Sequence, residues 1–306
     1  KLSVSMMSHR LELIQENDEL HQIRFTAMAS PCQVLLDHID WMSAAHIAQA
    51  VYAECLRIEN KYSRYRDDSF LASLHRNTDC WFDVDDETAK LFDFAEILYQ
   101  LSDKKFDITS GVLGKIWRFD GSEQVPSLDQ INQLLPHIGW DKVKWNQSQK
   151  KIYLPQEMSL DFGGIGKEYA VDRCAEIIEQ LSQQAYLVNF GGDLRARGPR
   201  KSGLAWRIGL ETPEQNNQAQ AYFDLNTGAM ATSGDSKRYL FKDGVRYSHI
   251  LNPLTGASVK DAPRSITVYA QTCIQAGMLA TLAMLEGAGA KRFLAEQSEG
   301  QAWIID

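Results

Sequence analysis

Three things are missing from this 306-residue chain: an excess of positive charge, a cysteine pattern and a long apolar run. With 32 Lys and Arg against 40 Asp and Glu, the formal net charge is −8. No basic stripe with interleaved aromatics offers the footprint of a nucleic-acid binder, so no nucleic-acid partner is expected. An anionic ligand is still allowed, because local dipoles hold a phosphate against the global charge. The five cysteines, Cys32, Cys55, Cys80, Cys174 and Cys273, contain no CxxC pair. That argues against a disulfide framework and against a structural zinc site. Cys55 and Cys174 fall on the apolar faces of expected helices and read as small core residues. No run approaches transmembrane length. The chain opens on "KLSVSMMSHR", with neither an initial Met nor an apolar signal core. A leader removed beforehand would leave such a start, so these residues do not give the compartment.

What is present is a mixture of helical and strand periodicities in an ordinary globular composition, 44% hydrophobic and 24% charged. Residues 1–24 read as a polar, loose extension, and residues 25–306 as one body able to bury a substantial core. Residues 21–37 alternate as strand, turn, strand. Residues 43–65 carry Ala45, Ala48, Val51, Tyr52, Cys55 and Ile58 at helical spacing, and 88–105 repeat the pattern with Leu91, Phe94, Ala95, Leu98 and Leu101. Ser127 caps a further helix, with Gln130 at the capping-box position. A hairpin is expected around Asn146 to Gln149. The helix after Gly166 carries Ala170, Val171, Cys174, Ala175, Ile178 and Leu181 on one face. Strands dominate from residue 185 to 271, followed by two helices and a last strand, "AWIID". The elements do not alternate strictly, so the expected class is α+β (mixed α/β) rather than a doubly wound sheet. The helical N-terminal half and strand-rich C-terminal half read as two lobes of one body.

The chemistry-bearing features are four polar or glycine-rich turns: "FDITSG", "DFGGIGKEYAVD", "NFGGDLRARG" and "ATSGDSKRY". Taken singly, each reads first as ordinary structure, a turn needing positive φ and a helix cap. The second opens a helix, whose free N–H groups and dipole favour an anion, and Lys167 adds positive charge. It is not a Walker loop. The upstream glycine of that motif is missing, and Glu168 stands where Ser or Thr would hold magnesium. The segments "TSGDSKR" and "RYSHILNP" bring hydroxyls, Lys237, Arg238, Arg246 and His249 into neighbouring turns. His249 reads either as a hydrogen-bonded turn residue or as a general base, since neutral imidazole titrates near physiological pH.

Several segments together resemble the ApbE family, the FAD:protein FMN transferases. They are "SLDFGGIGKEYAVDR", "YLVNFGGDLRARG", "MATSGDSKRYLFKDGVRYSHILNPLTG" and "SITVYAQTCIQAGMLATLAML", with "FTAMAS" and "KKFDITSGVLGKIWRF" upstream. Their order matches the family from about residue 25 onward. The resemblance implies one mixed α/β body with a single cleft, FAD and Mg2+ as ligands, and transfer of FMN to a Thr or Ser of a target flavoprotein. Hydrolysis of FAD to FMN and AMP is implied as a possible side activity. It also implies a nucleotide site built from Met28, Phe106, Asp107, Lys167, Asp172, Thr232, Ser233, Gly234, His249 and Ile250. By the same resemblance His249 activates the acceptor hydroxyl, and Gly166 and Thr281 contribute metal ligands. A cell-envelope or periplasmic location is implied if a leader has been removed, with the cytoplasm as the alternative.

The match has departures. Gly277 stands where the family carries a magnesium-binding aspartate, Glu168 where a glycine is usual, His75 where an asparagine is usual and Asn252 where an aspartate is common. Loss of the only anionic ligand should weaken Mg2+ binding. Gly277 and Thr281 are four apart and share a helix face, so Gly277→Asp is expected to aim a carboxylate at the metal and raise turnover. If Gly277 instead permits a close approach, an aspartate would clash. A non-catalytic flavin-binding protein is the second reading, and a module for another nucleotide the third.

Overall fold

Antiparallel pairing in chain order builds the largest sheet of this computed structural model, which describes residues 2–5, 11–119, 124–211, 219–234, 239–297 and 302–305. The strands β1 (Leu2–Ser5), β2 (Leu11–Gln15), β3 (Leu20–Ala27) and β4 (Ser30–Asp37) form a meander at one side. The segment expected to be a loose start therefore contributes β1, β2 and the start of β3, with Leu11 and Leu13 buried. Alternation over only five residues among polar neighbours hid β2.

The chain then leaves the sheet for α1 (Trp41–Tyr62), α2 (Phe70–Arg76), β5 (Trp81–Asp83) and α3 (Asp86–Leu101). A 3-10 segment, Ile108–Lys115, leads to α4 (Leu128–Leu134), β6 (Lys144–Asn146) and β7 (Lys151–Tyr153). Strands β5, β7 and β6 pair as a small separate sheet. The helix α5 (Gly166–Leu181) returns the chain to the large sheet through β8 (Tyr186–Phe190) and β9 (Asp193–Arg197). A ribbon follows, β10 (Trp206–Glu211) with β11 (Ala219–Leu225), then β12 (Gly228–Gly234), which rejoins the large sheet. Two short ribbons, β13 (Tyr239–Lys242) with β14 (Val245–Ser248) and β15 (Leu251–Asn252) with β16 (Ala257–Ser258), precede β17 (Ser265–Ala270). The chain closes with α6 (Cys273–Leu285), α7 (Ala290–Gln297) and β18 (Ala302–Ile305).

The large sheet runs β1-β2-β3-β4-β8-β9-β12-β17-β18. Both halves of the chain thus share one sheet, and the two-lobe expectation gives way to a single layer with the long first insertion looped out between β4 and β8. Period-two patterning separates its faces. Tyr186, Val188 and Phe190 of β8 belong to the main core beneath the helices, whereas Leu187 faces the cluster formed with Trp206, Ile208 and Leu225. Among the helices, α6 is buried with residues such as Ala276, Gly277, Ala280 and Leu282, as expected of a helix apolar nearly all round. Helices α1 and α5 pack together with Cys55 Sγ and Cys174 Sγ 3.3 Å apart and both residues buried. The expected capping box at Ser127 and Gln130 is present.

Candidate active site

The loop ahead of α5 is held from three directions. Asp161 accepts a hydrogen bond from Gly163 N–H at 2.8 Å and pairs with Arg64 Nη1 at 2.9 Å. His75 Nε2 accepts the N–H of Leu160 at 2.9 Å, so histidine here serves as a backbone acceptor. Burial lowers the pKa of His75, with Asp161 opposing, which favours the neutral ring that this bond needs. Phe106 packs edge-on against the glycine turn: a Cβ on Gly164 would lie 3.1 Å from Phe106 Cε2. The helix itself begins without a side-chain cap, unlike α1, α2, α3, α4 and α6. Free amide donors and the helix dipole at such an end favour an anion.

Lys167, in the first turn of α5, reaches across to the sheet. Its Nζ lies 2.9 Å from Oδ2 of Asp193, the first residue of β9. Burial works against the lysine's charge, but Asp193 outweighs it and the pKa rises. The turn between β8 and β9 passes close by, since a Cβ on Gly191 would be 3.6 Å from Lys167 Nζ and 3.0 Å from Ser30 Oγ. Gly191 and Gly192 have φ of 61° and 101°, conformations that glycine adopts without strain. On the other side, Thr232 N–H donates to Asp193 Oδ1 at 3.3 Å, and the Thr232 hydroxyl lies 2.8 Å from that of Thr267. Lys167, Thr232 and the β8–β9 turn therefore share Asp193 as their hub. Ser233 and Gly234 continue β12, where Gly234 meets the backbone of Arg264. Met28 lies in the β3–β4 turn with φ of 51° and donates its N–H to Glu59 Oε1 at 2.9 Å.

The α5–α6 contact holds a carboxylate that the sequence did not reveal as part of the site. Glu168 is partly exposed as a whole residue, yet its Oε2 is sealed from solvent and has no hydrogen-bond partner. Burial, with Asp193 nearby, pushes its pKa up to about 8. A Cβ on Gly277 would fall 2.6 Å from Glu168 Cγ and 2.8 Å from Glu168 Oε1. The glutamate thus occupies the room that a side chain at 277 would need. Of the two expectations for Gly277, this contact favours the close approach: an aspartate at 277 would have to displace the Glu168 side chain.

Asp172, expected to contact nucleotide, has both oxygens engaged within the fold. It accepts from Arg195 Nη1 at 3.0 Å, Cys273 N–H at 2.9 Å and Ile274 N–H at 2.9 Å, tying α5 and β9 to the start of α6. Asp107 is likewise engaged, by Thr109 N–H at 2.8 Å, Thr109 Oγ1 at 2.6 Å and Trp140 N–H at 3.0 Å. It also borders a 260 Å³ cavity with Lys104, Asp141 and Pro253. A 460 Å³ cavity beside Arg24, Tyr52 and Glu59 has none of Lys167, Thr232 or His249 in its lining, so size does not mark the site.

His249 lies after β14, its ring edge-on to Phe119 with centroids 6.2 Å apart. Phe119 stacks on Trp117, whose Nε1 donates to Gly256 O at 2.8 Å, and Ile250 is buried in the main core. Lys237 and Arg238 lie outside the described residues. Lys167, Thr232, Glu168 and the glycine turns thus converge, whereas Asp172 and Asp107 are engaged within the fold and His249 lies in the connection between two short ribbons. Asp193 was missed, although its place directly after two glycines was a usable signal.

Comparison with known proteins identifies the family. The chain is 30% identical over 258 residues to the FAD:protein FMN transferase of Haemophilus influenzae, covering 81% of this chain and 75% of that one. It is 31% identical over 237 residues to the FAD:protein FMN transferase of Vibrio cholerae, covering 75% and 70%. The crystal structure of the ApbE protein from Thermotoga maritima superposes with a TM-score of 0.84 at 29% identity, covering 94% of each chain. The flavin transferase ApbE from Vibrio cholerae gives 0.81 at 25% identity and 93% of each chain. The ApbE family model matches residues 26–305, and the chain is a member of the ApbE family.

Proposed function

We propose that this protein is an FAD:protein FMN transferase, moving FMN from FAD to a Thr or Ser hydroxyl of an acceptor flavoprotein and releasing AMP. The observation that carries the reading is the meeting of Lys167, the uncapped start of α5 and the Gly191–Gly192 turn around Asp193. That arrangement suits a pyrophosphate, with backbone donors for its oxygens and one lysine for its charge.

In the proposed reaction the acceptor oxygen attacks the phosphorus on the FMN side of the pyrophosphate. The bond from that phosphorus to the bridging oxygen breaks, AMP departs with the bridging electrons, and the acceptor's proton passes to His249. Positioning and electrostatic stabilisation do most of the work in phosphoryl transfer. Lys167 neutralises phosphate charge, Phe106 and the 163–164 turn shape the nucleotide wall, and Thr232 and Ser233 border the same cleft. Water in place of the acceptor hydroxyl would give FMN and AMP.

The α5–α6 contact suits a hard cation, because Glu168 Oε2 is a buried oxygen without a partner. Mg2+ is proposed there, with the Gly166 carbonyl and the Thr281 hydroxyl among its donors. Bound Mg2+ would supply charge neutralisation at the phosphates. The second reading, a flavin-binding protein without catalysis, is favoured by Gly277, which removes one carboxylate. Mg2+-dependent release of AMP from FAD, with a mass increase of FMN on an acceptor protein, is the expected result. FAD binding with neither product would establish the second reading.

A further inference from the structure

We infer that Glu168 is the anionic ligand for the divalent cation, delivered from the first turn of α5 into the space that glycine leaves at position 277 of α6. The inference deepens the proposed metal-assisted chemistry and rests on it. A carboxylate oxygen out of reach of solvent and of every donor is costly, because burying an unsatisfied charge forfeits its hydration. Among the described residues no donor reaches Glu168 Oε2, so a proton or a cation must compensate it, and a divalent ion would displace the proton. Among the described residues, the cation beside it, Lys167, is already paired with Asp193 at 2.9 Å. Asp172, the next carboxylate, is matched by Arg195 at 3.0 Å. Around Glu168 the charges therefore leave one carboxylate over, and Cys273, its other titratable neighbour, has its thiol pKa raised by burial and adds no positive charge.

Glycine at 277 gives the carboxylate its place. Glu168 Oε1 lies 2.8 Å and Cδ 3.0 Å from where a residue-277 Cβ would be, so the carboxylate lies on that face of α6. Thr281 is four residues further along and shares the face, about 6 Å up the axis. A carboxylate and a hydroxyl one helical turn apart, with the Gly166 carbonyl in the same first turn of α5 as Glu168, form an all-oxygen donor set of the kind Mg2+ accepts. Glu168 and Gly277 are then a single reciprocal exchange, not two separate losses.

The test uses the full chain, stripped with chelator and titrated with Mn2+ while free ion is read by electron paramagnetic resonance, with and without FAD. Glu168→Gln keeps the shape of the side chain and should weaken Mn2+ binding at least about tenfold, the loss already typical of an outer-shell partner. The double variant E168G/G277D should bind better than E168Q. Unchanged affinity in E168Q, or a double variant no better than E168Q, would overturn the assignment. Should the variants fail to fold, crystals of the unaltered protein with Mn2+ decide. An anomalous peak bonded to a Glu168 oxygen supports it, and a bound manganese without that bond overturns it. Mn2+ held by Glu168 in a protein that releases no AMP would sink the proposed reaction and leave the ligand standing.

Discussion

Lys167 Nζ and Asp193 Oδ2 are 2.9 Å apart, and the aspartate side chain is only 3% exposed. The lysine offered to a phosphate is therefore also the counter-ion of a buried carboxylate. Lys167→Ala should weaken FAD binding, read by flavin fluorescence, and also lower folding stability by about 3 kcal/mol, because it strands Asp193. Adding Asp193→Asn should recover much of the stability and none of the FAD affinity. An unfolding midpoint unmoved in the single variant would show that the pair does not stabilise the fold.

His249→Ala separates chemistry from binding. FMN transfer should slow by about a hundredfold to ten-thousandfold, the usual worth of general-base assistance. FAD affinity should stay near that of the unaltered protein, since the loss falls on the transition state. Weaker FAD binding with an undiminished maximal rate would make His249 a binding residue.

Gly277→Ala tests the close approach of α5 and α6. Its Cβ would meet Glu168 Cγ at 2.6 Å, so the variant should lose about 1–3 kcal/mol by overpacking. Glu168→Gly in the same chain should relieve the strain. Denaturant unfolding of the single and double variants provides the measurement, and equal stability of Gly277→Ala and the unaltered protein would contradict it.

His75 gives the loop before α5 a pH dependence of known sign. Its Nε2 accepts from Leu160 N–H, so the ring must stay neutral, and burial holds its pKa below the ordinary 6.5. The unfolded chain takes up the proton first as pH falls. The stabilisation is complete above pH 6.5 and is lost as pH drops through the lowered native value. His75→Asn keeps an acceptor without a titrating ring and should flatten that part of the stability profile. A profile that keeps its slope in the variant would move the effect to another group.

The long elements were legible because periodicity reports burial directly. Helix α1 and the β3–β4 hairpin lie within two or three residues of expectation, and Cys55 and Cys174 are the core residues that their spacing implied. Short elements were legible only where a local signal marked them: the capping box gave away the seven-residue α4, whereas the five residues of β2 and the seven of α2 are too few for a period to stand out. Within the site, Lys167 and the glycine turns could be read locally, since a helix start and its lysine are neighbours in sequence. The Glu168–Gly277 contact could not, although both residues stood out as departures. Only the packing of α5 on α6 makes two independent oddities into one arrangement. Asp172 shows the reverse case, a residue with a functional expectation whose oxygens serve to join helices and sheet.

The seam between β4 and β8 has a consequence for timing. Cys32 pairs with Phe190 across it, with the whole first insertion intervening. Closing so long a loop is entropically unfavourable until helices and sheet repay it, so this pairing belongs among the slow steps of folding. Met28 lies on one side of the seam and Gly191 on the other, and Gly277 arrives only with α6 near the end of the chain. A ribosome-bound chain that has emerged only through α5 can make the β3–β4 hairpin but lacks Asp193, Thr232 and Gly277. On the proposed function, flavin capture is expected late in the life of the polypeptide, and FAD fluorescence during refolding should report the closing of the seam instead of the early collapse.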